Sequence, residues 1–105
     1  MLELLYLRSM NSQEIITTLR NELPKLKNDF GVEEIGLFGS RARDEANSTS
    51  DIDVLVTLQK PSFLKLAGLL NHLETLLKSR VDITTKHKHL SPRFLKTIER
   101  DLVYA

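Results

Sequence analysis

The chain has 105 residues, 41% of them hydrophobic and 28% charged, and its net charge of +1 at pH 7 argues against bulk electrostatic binding of nucleic acid. This length predicts one domain, 1–105, and the absence of cysteine excludes disulfides and thiolate metal sites and favours a reducing cytoplasm. No apolar stretch reaches the ~18 residues of a membrane span, and residues 1–6 are too short for a signal peptide. Residues 1–10 are either an extra turn of helix or an N-terminal extension upstream of a start at Met10.

Residues 11–29 predict the first helix. Asn11 and Glu14 resemble a capping box, and apolar residues recur behind them at helical spacing. Pro24 lacks a backbone donor and clashes with the preceding turn, so it should kink or split this helix. Gly31 is a suitable C-terminal stop.

Two predicted strands enclose a polar, glycine-containing segment. Residues 32–38 form the first strand, which ends at a small-residue turn, Gly39–Ser40. Residues 41–45 predict a short helix, residues 47–50 a polar loop, and residues 51–58 the second strand. The turn and the start of the second strand are therefore close along the chain.

The second half predicts a long helix opened by Pro61–Ser62, a short strand over 81–85, and a last helix that begins at Ser91–Pro92. This order of elements predicts an α/β fold with a small mixed β-sheet of about three strands and flanking helices. The apolar faces expected to pack are Phe63, Leu66, Ala67, Leu70, Leu73 and Leu77 on the long helix, and Phe94, Leu95, Ile98 and Leu102 on the last one.

Two aspartates stand two residues apart at the start of the second strand. Period-two alternation places Asp51 and Asp53 on one face, while Ile52 and Val54 point to the other. At ~5 Å and an effective dielectric of ~20, two such charges repel by roughly 3 kcal/mol. A divalent cation removes that cost, and hard oxygen ligands favour Mg²⁺, with Mn²⁺ as the alternative, over zinc. The pair therefore predicts a metal-dependent phosphoryl or nucleotidyl transfer site.

The turn ahead of this pair is suited to phosphate. Gly39 permits close approach of the backbone, and the Ser40 hydroxyl and nearby amides can donate hydrogen bonds to phosphate oxygens. Arg41 and Arg43 suit a triphosphate, but at this spacing only one of them is expected to face it. The other is then available for a surface ion pair with Glu45 or for a partner contact.

Two further residues are candidates for the same site. Asp82, on the third strand, would supply a third carboxylate and could accept the proton of an attacking hydroxyl. Three carboxylates from two neighbouring strands could hold two metal ions. Ser50 either fixes the loop before the aspartate pair or contacts a phosphate.

Charge is unevenly distributed along the chain. Residues 1–59 carry six Lys/Arg and ten Asp/Glu, whereas residues 60–105 carry nine and four. A basic half beside an acidic half could flank a nucleotide or meet an acidic partner, although a mixed solvated surface explains the same counts. The basic tract 86–89 is open to the same alternatives: phosphate contact, partner contact, or a solvated loop.

Together the motifs resemble the minimal nucleotidyltransferases of the DNA polymerase β superfamily, and most closely the MntA-type antitoxins of HEPN/MNT toxin–antitoxin systems. The residues that carry the resemblance are 39–43, 50–56 and 81–83, and it extends over about 12–104. One departure is Asp44, which stands where a glycine often follows the second arginine.

The resemblance implies a nucleotidyltransferase fold, nucleotide phosphates at Gly39 and Ser40, and Mg²⁺ on Asp51, Asp53 and Asp82. It implies an enzyme that transfers AMP from ATP to a tyrosine hydroxyl of a cognate HEPN-domain RNase toxin. Such a protein would act in the cytoplasm, in an assembly with its toxin, without membrane contact and without direct nucleic-acid binding.

Two other functions stay open at this point. The chain could be a non-catalytic antitoxin that neutralises its toxin by complex formation, or it could transfer a nucleotide to RNA or to a small molecule. The residues do not specify the nucleotide, the acceptor, the number of AMP units or the stoichiometry with the toxin.

Overall fold

The structure is a computed structural model that describes residues 10–45 and 50–105. Predictions for residues 1–9 and 46–49 lie outside the described residues. Within the described ranges, no helix combines the length and hydropathy needed to cross a membrane. The elements, in chain order, are α1 (Ser12–Phe30), β1 (Val32–Phe38), β2 (Ile52–Leu58), α2 (Phe63–Leu77), β3 (Val81–Thr85), α3 (Pro92–Glu99) and β4 (Val103–Tyr104).

Helix α1 has the predicted caps at both ends, and its bounds lie one residue later than the predicted 11–29. The Asn11 side chain accepts from the backbone N–H of Glu14, whose own side chain accepts from the Asn11 N–H, so the capping box is complete. Gly31 ends the helix with a left-handed φ of 69°. A split at Pro24 is wrong, because α1 runs through it. Buried residues on both sides of the proline bind the two halves to one core, and this outweighs the lost backbone hydrogen bond.

The sheet has the strand order β3-β2-β1-β4. Strand β1 is antiparallel to β2 and to β4, and β2 is parallel to β3, so the sheet is mixed. The mixed α/β fold is confirmed, with one strand more than expected. The second strand begins at Ile52 rather than at Asp51. The last helix ends at Glu99, and the chain then pairs with β1 as the unpredicted β4, so Leu102 lies outside that helix.

One face of the sheet packs against α1 and α2. Leu37 of β1 pairs with Val54 of β2, and Val54 pairs with Ile83 of β3, so these three side chains share that face. Leu37 and Val54 are fully buried, and Ile83 packs against the same cluster. The core cluster comprises Ile15, Ile16, Leu19, Leu26, Val32, Ile35, Leu37, Ile52, Val54, Val56, Leu58, Leu69, Leu73, Leu77 and Val81.

The buried stripe of α2 differs from the predicted one. Leu73 and Leu77 are buried as expected, but Leu69 is also fully buried, whereas Phe63 is 83% exposed and Ala67 is exposed. Leucines are so frequent in this helix that two overlapping stripes fit the same 3.6-residue period. The contacts with the sheet and with α1 determine which of the two stripes is buried, and the sequence pattern alone does not.

The other face of the sheet is covered near the C-terminus. Gly36 pairs with Leu55 on that face, and a side chain at position 36 would lie 2.7 Å from Leu102 Cδ1 and 3.1 Å from Tyr104 Cδ1. Leu55 is 1% exposed although it lies outside the main core cluster. The segment after α3 therefore covers the centre of this face and leaves one edge of it to polar residues.

Candidate active site

Asp53 and Asp82 lie on the same face as Gly36, at the edge that the segment after α3 leaves uncovered. Asp53 of β2 and Asp82 of β3 are direct partners in the parallel register, so both side chains leave the sheet on the same side. Phe38, the last residue of β1, pairs with Asp53 from the other direction. The turn that follows Phe38 therefore begins beside the two aspartates.

Gly39 and Asp53 are in direct contact. Gly39 has a left-handed φ of 77°, and a Cβ added there would overlap the Asp53 Oδ2 atom. Both observations require glycine at this position. The Asp53 carboxylate is thus held against the backbone of the turn, which is the arrangement expected if a phosphate and a cation are to be bound side by side.

The turn itself is not the predicted helix. Residues 40–44 form consecutive turns, in which the Ala42 N–H donates to the Gly39 carbonyl at 3.1 Å and the Arg43 N–H donates to the Ser40 carbonyl at 3.2 Å. Asp44 has a φ of 55°, which ends any right-handed helix after these few residues. The short helix over 41–45 is therefore wrong.

The Arg41 guanidinium is buried and bound to backbone. Its side chain is part of a residue only 5% exposed, with Nη1 donating to the Ser50 carbonyl at 2.8 Å and Nη2 to the Met10 carbonyl at 3.2 Å. Ser50 directly precedes Asp51. Arg41 therefore fixes the start of the aspartate segment to the residues ahead of α1, a role that sequence reasoning missed.

Arg43 is bound by carboxylates at the surface. Its Nε donates to Glu45 Oε2 at 2.9 Å, which confirms the predicted ion pair, and its Nη1 donates to Asp101 Oδ2. The second contact ties the turn to the end of α3. Arg41 is buried, whereas Arg43 is exposed with its guanidinium bound to two carboxylates.

Asp44 joins the turn to α1, which sequence reasoning also missed. Its carboxylate accepts from the Ser12 N–H at 2.8 Å and from the Ser12 hydroxyl at 2.7 Å, and these bonds lower the pKa of Asp44 below its ordinary value. Asp44 adopts the left-handed backbone that glycine would adopt readily. The departure from the family pattern thus keeps the backbone shape and adds an anchor to the first residue of α1.

The three aspartates are in unequal environments. Burial, and then the charges of Asp82 and Asp51, raise the pKa of Asp53 above its ordinary value. Asp51 is more open, with its side chain 47% exposed and its Oδ1 atom 3.9 Å from Arg80 Nε. Electrostatically, Asp53 is the carboxylate that gains most from a nearby cation.

The donor set fits a hard divalent cation only in part. Carboxylate oxygens are the hard ligands that Mg²⁺ or Mn²⁺ prefers, and a cation would offset the burial and the like charges that raise the pKa of Asp53. Across residues 10–45 and 50–105, however, no three His, Cys, Asp or Glu side chains converge on one ion position. Asp51 lies beside Arg80, and its charge is one of the causes of the raised pKa of Asp53.

The chain belongs to the nucleotidyltransferase domain family, whose model matches residues 16–105. It is an enzyme of that class, as the motif resemblance implied, and the match includes the turn and all three aspartates.

Individual relatives agree with this membership. The protein adenylyltransferase MntA of Thermococcus cleftensis is 43% identical over 93 residues, which are 88% of this chain and 93% of that protein. A solved structure described as a candidate minimal nucleotidyltransferase superposes with a TM-score of 0.72 at 33% identity, covering 90% of this chain and 95% of its own.

A third protein with a similar fold belongs to a solved complex. A chain in the structure of a tri-AMPylated HEPN toxin with its MNT antitoxin, from Shewanella oneidensis, superposes with a TM-score of 0.54 at 23% identity. The match covers 90% of this chain and 67% of that one, and at this identity it shows the shared fold.

Proposed function

We propose that this chain transfers AMP from ATP to a tyrosine hydroxyl of a partner HEPN-domain toxin, with Mg²⁺ as cofactor, and thereby acts as an antitoxin. The observation that carries the proposal is the pairing of Asp53 with Asp82 directly beside the Gly39 turn. The similarity to a protein adenylyltransferase over most of both chains supports a protein as acceptor. The absence of cysteine supports a cytoplasmic location.

The proposed roles follow the geometry. Asp51 and Asp53 would hold Mg²⁺, with Asp82 as the third ligand, and Mn²⁺ could replace it. When bound, the cation would neutralise charge on the phosphates and on the carboxylates. Gly39 and Ser40 would receive the phosphates against the turn.

The reaction balances without a further reactant. The acceptor oxygen forms a bond to the α-phosphorus of ATP, the bond from that phosphorus to the bridging oxygen breaks, and pyrophosphate leaves. The hydroxyl proton passes to the Asp82 carboxylate and from there to solvent. The product is an AMP ester of the acceptor.

Nucleotide contact by Arg41, Arg43 or Ser50 stays a prediction. The two carbonyls bound by Arg41 give it a positioning role that does not depend on touching the nucleotide. Arg43 would first have to leave Glu45 and Asp101.

The test is the intact mass of a HEPN-domain partner co-expressed with this chain. Wild type should add the mass of one or more AMP groups, and Asp51→Asn/Asp53→Asn should add none. Glu33→Gln/Glu34→Gln is the matched control, because it removes two exposed carboxylates at the far end of β1 and should leave the modification intact.

Two results would contradict the proposal. If the double aspartate variant still silences the toxin while the toxin's mass is unchanged, the chain acts by complex formation. If wild type modifies RNA or a small molecule but never the partner protein, the proposed protein acceptor is wrong.

A further inference from the structure

Helix α3 and the residue that follows it, Arg100, present three cations on one face. Arg93, Lys96 and Arg100 are spaced i, i+3 and i+7, which places them on one side of the helix, and all three are exposed. Ile98, on a different side, is 3% exposed. We call the three cations the α3 basic face.

These cations have no carboxylate partners within the described part of the chain, whereas Lys25 and Arg80 each have one and Arg43 has two. Three like charges on adjacent helical turns repel each other. Over 86–100 there are five Lys/Arg and a single acidic residue, Glu99. An anionic ligand would relieve this uncompensated charge.

The α3 basic face also lines a cavity. The cavity has a volume of about 460 Å³, and the described residues that line it are the three cations, Pro92 and Thr97. Proline and the aliphatic stems of the long side chains contribute apolar surface to its lining, and the head groups contribute positive charge. Such a groove suits a side chain or a short peptide segment better than an isolated ion.

The groove borders the candidate active site. Asp101, the residue after Arg100, pairs with Arg43 of the turn. Leu102 and Tyr104 lie over Gly36, on the sheet face that carries Asp53 and Asp82. A ligand that lies along α3 therefore leads toward the turn and the aspartates.

We propose that the α3 basic face binds an acidic segment of the acceptor protein next to the tyrosine that receives AMP. This inference rests on the proposed function and names how its acceptor is recognised. An acidic peptide is favoured over single-stranded RNA because RNA binding uses aromatic stacking, and the described residues that line this cavity include no aromatic side chain. With eight residues, α3 is about 12 Å long, enough for a short peptide segment.

The test measures binding without catalysis. Fluorescein-labelled poly(Glu,Tyr) copolymer is titrated with the full chain, and anisotropy gives the affinity. Arg93→Glu/Lys96→Glu should weaken binding about tenfold, since two attractions become repulsions. Arg20→Glu/Lys27→Glu is the matched control, with the same charge change on exposed positions of α1, and should weaken binding less than about twofold.

Three outcomes overturn the inference: no binding of the copolymer by wild type, equal weakening in both variants, or tighter binding of labelled oligouridylate that Arg93→Glu/Lys96→Glu abolishes. The last result would make the face an RNA surface.

Transfer of label from ATP to the copolymer separates the two proposals. If Arg93→Glu/Lys96→Glu labels the copolymer as well as wild type does, the docking surface is wrong and the proposed function stands. If wild type labels neither copolymer nor partner while the difference in binding remains, the function is wrong and the surface stands. Asp53→Asn should bind the copolymer like wild type and transfer no label.

Discussion

The Asp53 carboxylate lies where a side chain at position 39 would have to be. The left-handed backbone at Gly39 turns the chain, and the missing Cβ leaves room for the carboxylate. The same contact fixes the distance between the proposed phosphate site and the proposed metal site. A change at this glycine should therefore affect chemistry more than stability.

Gly39→Ala should cost about 1–2 kcal/mol of stability, because alanine resists a left-handed backbone, and should displace the Asp53 carboxylate. A displacement of about 1 Å can lower a catalytic rate about 100-fold. The measurements are urea unfolding and the rate of AMP transfer. Gly68→Ala is the control, since Gly68 lies in α2 and its new Cβ would approach only the end of the Phe30 ring, at 3.1 Å. Transfer by Gly39→Ala at the wild-type rate would contradict the proposed site.

Asp53→Asn should stabilise the metal-free protein at neutral pH. Because the pKa of Asp53 is raised on folding, its contribution to stability is fully present below the unfolded pKa and is lost as pH rises through the folded pKa. Removing one charge from a pair on neighbouring strands should raise the free energy of unfolding by about 1 kcal/mol, which corresponds to a Tm higher by roughly 4–8 °C. The gain should disappear near about pH 3, where the wild-type carboxyl is protonated in both states. A destabilised Asp53→Asn at neutral pH would show that Asp53 is instead held by favourable contacts.

At the level of elements, the sequence predicted the helix caps correctly but did not predict the two-residue strand β4 or the turn over 40–44. Asn11, Gly31 and Ser91 mark helix ends by local chemistry, so α1 and the start of α3 were predicted well. Strand β4 has only two residues, and it is a strand because β1 offers an open edge. The false helix over 41–45 has helix-compatible residues but is ended by Asp44 in a left-handed conformation, for which the signal was the glycine that often stands at this position in the resembled family.

In the candidate site, too, some residues could be placed from the sequence and others could not. The neighbourhood of Asp53 and Asp82 follows from period-two alternation and two adjacent strands, and the structure bears out that placement. Arg41 could not be assigned from the sequence, because an arginine after a Gly-Ser turn suggests phosphate contact. Its actual partners are the carbonyls of Met10 and Ser50, which only tertiary structure brings together.

Arg41 links the residue ahead of the α1 cap to the segment ahead of β2, so its loss should destabilise both. Arg41→Ala leaves the carbonyls of Met10 and Ser50 without a charged donor and should cost about 2–3 kcal/mol of unfolding free energy. Arg43→Ala removes only ion pairs of an exposed side chain and should cost less than about 1 kcal/mol. Urea unfolding of both variants gives the comparison. Equal losses would mean that the buried guanidinium has no special role in holding the segment ahead of Asp51.

In the whole molecule, one face of the sheet forms the core and the other carries the candidate site. Helices α1 and α2 bury one face in the main core, while the other carries the aspartates, the turn and the chain that follows α3. Negative charge is concentrated at the strand ends and positive charge on the α3 basic face beside them. A cation bound at the aspartates would therefore stabilise the fold directly.

Mg²⁺ should raise the stability of the whole chain by binding only its folded form. At a concentration about 100 times the dissociation constant, the expected gain is about 2.7 kcal/mol in the free energy of unfolding. Asp51→Asn/Asp53→Asn should show no gain, and Glu33→Gln/Glu34→Gln should match wild type, because its two changed residues lie at the start of β1, away from the aspartates. Thermal unfolding with MgCl₂, MnCl₂ or EDTA gives the measurement. An equal gain in all three proteins would place the cation elsewhere, since only a site built on Asp51 and Asp53 separates the two double variants.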